Sequence, residues 1–222
     1  MKLLLALLML ASATTVAQPT IDPKQVVRML ALGDSYTVGE SVAETERWPM
    51  QLAEALRQKG YTVERPAIIA TTGWRTDQLR DAIAASRLRD GYNLVSLLIG
   101  VNNYYQGKPQ EVYAKEFEEL LHTAIHLAGD RKDRVFVVSI PDYGYTPFGQ
   151  PRQATISAGI DTFNAINKRI TDSLGVPYFD ITPISREGLK RPELVAGDQL
   201  HPSGKMYAAW VSLIAAAFPQ VK

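Results

Sequence analysis

"LALGDSYTVGE", Leu30 to Glu40, is the stretch whose reading decides the fold. A short apolar run stops at Gly33, a carboxylate and a hydroxyl follow at once, and Gly39 comes close behind. Three structures end a strand this way: a phosphate-binding loop, a plain tight turn, or a serine nucleophile presented at a strand end. The phosphate readings fail on spacing. A P-loop needs G-x-x-x-x-G-K-[ST], whereas Gly33 and Gly39 are too far apart and no Lys follows. A dinucleotide loop needs G-x-G-x-x-G, and "GDSYTVG" lacks the second glycine. The G-x-S-x-G elbow of α/β-hydrolases does not frame Ser35 either.

Outward from this stretch, apolar runs alternate with helical patterns. Strands are expected at Arg28–Leu32, Leu94–Ile99, Val135–Ile140 and Pro177–Asp180, with a weaker one between Tyr61 and Ala70. Helices are expected at Pro49–Lys59, Thr76–Ser86, Val112–Ala128, Ile156–Leu174 and Ser203–Phe218. In the third, Phe117, Leu120, Leu121, Ala124 and Ala128 fall on one side; in the fourth, Ile156, Ile160, Phe163, Ile170 and Leu174 do. Strands that are apolar throughout, alternating with helices, call for a parallel sheet of about five strands covered on both faces: a three-layer α/β/α sandwich. Ligands of such open sheets bind outside the carboxyl ends of the strands. The segments after the strands are "GDSYTVG", "TTGWRTD", "GVNNYYQG", "PDYGYTPFGQPRQ" and a last loop ending in "GDQLHPSG". Polar groups therefore converge on one edge of the sheet, which a purely structural protein does not need.

Composition narrows the function classes. A length of 222 residues suits one domain, and 46% hydrophobic with 21% charged residues is ordinary for a globular chain. The absence of Cys removes disulfide and thiol chemistry. A formal charge of +1 provides no basic field for nucleic acid. The first seventeen residues, "MKLLLALLMLASATTVA", read as a signal peptide: Lys2 is followed by an apolar stretch to Leu10 and a run of small residues to Ala17. That apolar stretch is too short for a span of ~20 residues, and no Cys offers a lipid anchor, so no stable membrane anchor is expected. Residues 18–222 then form the single mature domain, exported to the periplasm or the medium.

A serine nucleophile needs a base, and the chain has three histidines. His122 and His126 sit about 140° and 180° from the core direction of their helix, on a solvent face. They lack the Glu of an H-E-x-x-H metal site. His201 precedes the helix-start residues Pro202 and Ser203, and Asp198, three residues earlier, can fold back to take its ring N–H. Alone, this pair also suits an ordinary surface loop.

The ordered combination is more specific. "GDSYTVG", a lone Gly73 after a strand, "GVNN", and "DQLHPSG" near the end resemble the SGNH hydrolases, also called the GDSL esterase/lipase family, over roughly Val27 to Phe218. The resemblance implies a flavodoxin-like fold and a serine esterase that uses no cofactor and no metal. It implies that Ser35, Asp198 and His201 are catalytic: Ser35 the nucleophile, His201 the base, Asp198 its orienting partner. The Ser35 and Gly73 N–H groups and the Asn102 amide would form the oxyanion hole. The chain departs from the family pattern at Asn103, where Asp is usual, and at Tyr36, where Leu is common. Trp74, Tyr104, Tyr105, Tyr143, Tyr145 and Phe148 lie in the strand-end loops, and Trp74, Tyr104 and Tyr143 are the candidate substrate contacts. Small or soluble esters, among them acylated carbohydrates and lysophospholipids, are the expected substrates. A non-catalytic carbohydrate-binding or scaffold protein on the same fold is the alternative.

Overall fold

The computed structural model describes residues 18–88 and 90–221, so the expected signal peptide lies outside the described residues. The sheet is built from β1 (Met29–Gly33), β2 (Ala67–Ala70), β3 (Leu94–Leu98), β4 (Val135–Val138) and β5 (Tyr178–Phe179). Its order is β2-β1-β3-β4-β5 and every pairing is parallel. In register, Leu32 of β1 lies between Ile69 of β2 and Leu97 of β3. β1, β3 and β4 are buried along their whole length, as their continuous apolar runs require. β2 is half-buried at one edge, and β5 contributes two half-buried residues at the other.

Among the described residues eight α-helices accompany the sheet: α1 (Ser35–Val38), α2 (Trp48–Gln58), α3 (Thr76–Ala85), α4 (Val101–Tyr105), α5 (Gln110–Leu127), α6 (Gln153–Leu174), α7 (Thr182–Ser185) and α8 (Gly204–Ala215). The five expected helices are α2, α3, α5, α6 and α8, within a few residues at each end. α2 packs on α8, while α3, α5 and α6 pack in succession, which gives the α/β/α layering. Trp48 at the start of α2 meets Phe136 of β4 edge-on, and Phe136 meets Phe179 of β5. In the other layer Tyr113 of α5 stacks with Phe163 of α6 and with Phe117 of its own helix. The core face expected for α5 is buried at all five positions; on α6 the last, Leu174, is only partly buried because the helix ends there at Gly175.

After β1 the chain moves to β2 on one side, then returns past β1 to β3 on the other. Order reverses at the carboxyl end of β1, where a crevice opens between the loops that follow β1 and β3. No helix among the described residues is long and apolar enough to cross a membrane.

Candidate active site

Ser35 begins α1 immediately after β1, so the strand delivers it to the crevice. Asp34 caps this one-turn helix: its Oδ1 accepts the Tyr36 N–H at 3.0 Å, and its carbonyl accepts the N–H groups of Thr37 and Val38. Gly39 ends the turn with φ 73°. A side chain at Gly33 would put its Cβ 2.5 Å from the Leu98 carbonyl oxygen, so glycine there lets the turn sit directly against β3. Asp34 is fully buried, and its Oδ2 has no hydrogen-bond partner among the described residues. Burial lifts its carboxyl from the ordinary 3.8 to about 7, against the lowering effect of the Tyr36 N–H.

His201 reaches the same crevice from a closed loop. Val195 and Pro202 form an antiparallel bridge, and the Ala196 N–H donates to the His201 carbonyl at 2.8 Å. Ser203 then caps α8 by accepting the Met206 N–H. Inside the loop Asp198 folds back as expected. Its Oδ1 accepts the N–H groups of Leu200 and His201, both at 3.0 Å, and its Oδ2 lies 2.6 Å from His201 Nδ1. Partial burial pushes the Asp198 carboxyl up, but hydrogen bonds from the Ser41 hydroxyl, the His201 ring and the two backbone N–H groups outweigh it and hold the acid well below the usual carboxylate range. Asp142, the next carboxylate along the strand ends, is occupied elsewhere: it accepts the Gly144 N–H and pairs with Arg186 at 3.0 Å.

Gly73 follows β2 with φ 84°, and nothing lies within 4 Å of where its Cβ would stand. Glycine is needed there for its backbone, and the open space beside it belongs to the crevice. Asn102, in the first turn of α4, spends one amide hydrogen on the Trp74 carbonyl at 2.9 Å, leaving the second available. Asn103 points the other way. It is buried, accepts the Thr76 N–H and donates to the Thr76 hydroxyl, and so ties α4 to the start of α3 with neutral groups.

These elements enclose a cleft of about 210 Å³ lined by Ser35, Gly73, Asn102 and His201 together with Tyr36, Thr72, Val101, Tyr105, Tyr143, Phe148 and Leu200. A larger depression of about 600 Å³, with Arg28, Asn93, His126 and Arg134 on its walls, lies at the opposite, amino ends of the strands and holds none of these groups. Among the described residues no cluster of three His, Asp or Glu side chains could hold a metal ion. Of the three expected substrate contacts only Tyr143 lines the cleft. Tyr104 instead stacks on Phe163 and donates its hydroxyl to the Thr155 carbonyl, and the Trp74 ring packs on the core.

Residues 31–209 match the sequence profile of the GDSL-like lipase/acylhydrolase family. The chain belongs to that family. Its membership supports an ester-hydrolysing function. Solved GDSL structures share the fold at low identity. A GDSL-like lipase from Parabacteroides merdae superposes with a TM-score of 0.69 at 17% identity, covering 90% of this chain and 98% of its own. A lipase/acylhydrolase from Enterococcus faecalis gives 0.64 at 20% identity, covering 86% and 94%. An acetylxylan esterase from Geobacillus stearothermophilus gives 0.61 at 18%, covering 86% and 92%. A search of curated protein sequences finds no significant match.

Within this GDSL-like site, the sequence marked Tyr36 only as a departure from the family pattern, and Thr72, Val101, Leu200 and Ser41 were passed over. Tyr36 sets its ring 5.8 Å from that of His201 in an edge-on contact. Tyr105 and Phe148 stood among the strand-end aromatics without being singled out. Their exposure, 56% and 48%, together with their contacts to the Tyr143 ring, marks them as the rim of the cleft.

Proposed function

We propose that the protein hydrolyses carboxylic esters of short acyl groups through an acyl-enzyme on Ser35. His201 Nε2 takes the Ser35 hydroxyl proton as Oγ attacks the carbonyl carbon, and returns it to the departing alcohol. Water, deprotonated by the same ring, then releases the acid. Asp198 holds Nδ1–H and so leaves Nε2 for the reacting proton. The Ser35 and Gly73 N–H groups and the second Asn102 amide hydrogen receive the oxyanion, where each donor contributes ~10²–10³ in rate. The observation that carries this reading is the 2.6 Å contact between Asp198 Oδ2 and His201 Nδ1 in a loop that opens on the same cleft as Ser35.

The cleft, at about 210 Å³, is smaller than the ~300–1,000 Å³ of pockets that bury drug-sized ligands. Its size favours acetyl and other short acyl groups over long chains. The Tyr105, Tyr143 and Phe148 rim supports an alcohol part with a flat or apolar face, such as a sugar ring. The leader-like Met1–Ala17 stretch supports a place of action outside the cytoplasm. The test is turnover of a p-nitrophenyl ester series from acetate to palmitate, run beside acetylated xylan. Activity is expected to fall with chain length and to vanish in Ser35→Ala, whose circular dichroism stays that of the wild type. Wild-type turnover in a contaminant-free Ser35→Ala preparation would refute the mechanism.

A further inference from the structure

Ser41 follows the first turn after the nucleophile and is one of only three non-glycine residues with positive φ among the described residues, at 65°. Left-handed backbone is uncommon outside glycine, and serine is not among the residues enriched there. Such conformations persist where the surroundings over-determine them, often at functional sites. Ser41 spends this conformation on one contact. Its hydroxyl donates to Asp198 Oδ2 at 2.6 Å, across 157 residues of sequence. The same oxygen faces His201 Nδ1 at 2.6 Å. Gln199, between Asp198 and His201, is also left-handed at 65°, so both sides of the contact are held in unusual backbone.

We propose that Ser41 is a positioning residue whose hydroxyl fixes the Asp198 carboxylate in the rotation that presents Oδ2 to His201. The inference rests on the esterase reading above. Oδ1 is already pinned by the Leu200 and His201 N–H groups. Without Ser41 the only remaining partner of Oδ2 among the described residues is the ring it must orient. The carboxylate, 30% exposed along with its side chain, can then turn toward water and release Nδ1–H. The adjacent Glu40 accepts the Thr72 hydroxyl beside Gly73, so the segment after α1 touches the carboxylate that orients the base on one side and the oxyanion turn on the other.

The experiment compares Ser41→Gly and Ser41→Ala in the full-length protein. Glycine removes the hydroxyl and relieves the left-handed backbone; alanine removes the hydroxyl and keeps the strain. Loss of one hydrogen bond and relief of strain oppose each other in the glycine variant, so its Tm should stay near that of the wild type, with alanine lower. In both variants kcat should fall by about tenfold with KM within twofold, because misplacing the base leaves the binding cleft intact. Proton NMR supplies a readout independent of turnover. The His201 Nδ1 proton, assigned by its absence in His201→Gln, should be far downfield in the wild type and shift upfield or broaden away in Ser41→Gly. An unchanged Nδ1 resonance, or a kcat within twofold of an active wild type, overturns the role of Ser41. A wild type with no esterase activity whose Nδ1 resonance still responds to Ser41→Gly refutes the esterase reading and leaves the positioning role standing.

Discussion

Asn102 and Asn103 sit side by side on α4 and serve different links of the chain. One amide hydrogen of Asn102 is held by Trp74 and its side chain lines the cleft. Both polar atoms of Asn103 are buried against Thr76. Asn102→Ala should therefore lower kcat by ~10²–10³ with a smaller change in KM and little change in Tm, because the donor acts on charge that develops in the transition state. Asn103→Ala should do the reverse. It removes two hydrogen bonds and strands the buried Thr76 N–H, while the Thr76 hydroxyl keeps Glu116 as its acceptor, a loss of about 2–3 kcal/mol. At ~2–4 °C per kcal/mol for a chain of this size, that is a Tm lower by roughly 5–10 °C. Steady-state kinetics and thermal melts on the two variants check the division, and a reversed ranking would mean that the oxyanion donor is misassigned by one residue. The gathering of Ser35, Gly73, Asn102 and His201 at one cleft, with Asp198 against His201, was legible in the sequence because the proposed reaction dictates those residue types. Ser41 was not, because any serine in a loop looks the same until the fold sets it beside Asp198.

At the scale of elements, the single-turn helices decide where side chains point. α4 runs only from Val101 to Tyr105, and consecutive residues on it diverge by ~100°. Tyr105 therefore turns to the cleft rim while Tyr104 turns inward against α6. One turn carries no periodicity to read, which is why the sequence could not separate these neighbours, and why α1, α4 and α7 were not foreseen. The inward turn of Tyr104 explains a glycine in the body of α6. A Cβ at Gly159 would stand 2.0 Å from the Tyr104 ring. In an ordinary helix interior, Gly→Ala stabilises by about 1 kcal/mol. Gly159→Ala should instead destabilise by roughly 1–3 kcal/mol, the usual range for overpacking. Because the Tyr104 ring lies 6.5 Å from that of Tyr143, KM for the ester should change as well. Chemical denaturation of Gly159→Ala, Tyr104→Leu and the double variant should reveal a favourable coupling, since leucine vacates the space that the new methyl needs. Additive effects would show that the two positions do not press on each other.

Across the whole molecule, the strands inside the sheet are the ones whose runs are apolar throughout, and the mixed runs are its edges. β1, β3 and β4 are buried on both faces and were plain in the sequence. The edge strands were weaker because half-buried edges mix residue types: β2 is four residues within a longer expected stretch, and β5 is two. The same central burial that made β1 legible has a global consequence at its carboxyl end. Asp34 is carried into the core with its carboxyl raised from 3.8 to about 7. A folded-state value above the unfolded one means that the fold binds the proton more tightly. Its contribution is fully present below the unfolded value of 3.8 and is lost as pH rises through about 7. The difference corresponds to at most about 4 kcal/mol between those limits. Asp198 works in the opposite sense, since its folded value is depressed: its stabilisation is present above the unfolded value and lost as pH falls through the folded one. Wild-type Tm should therefore climb as pH drops from 8 to 5 and turn down only in stronger acid. Asp34→Asn keeps the oxygen that accepts the Tyr36 N–H and has no carboxyl proton to bind. Its Tm should lie above wild type at pH 8 and approach it at pH 5, so that the wild-type-minus-variant difference, measured by melts across pH 5–8, isolates this one carboxyl. A difference that stays constant over that range would show that Asp34 is ionised throughout it, and that its buried carboxylate is satisfied by the fold.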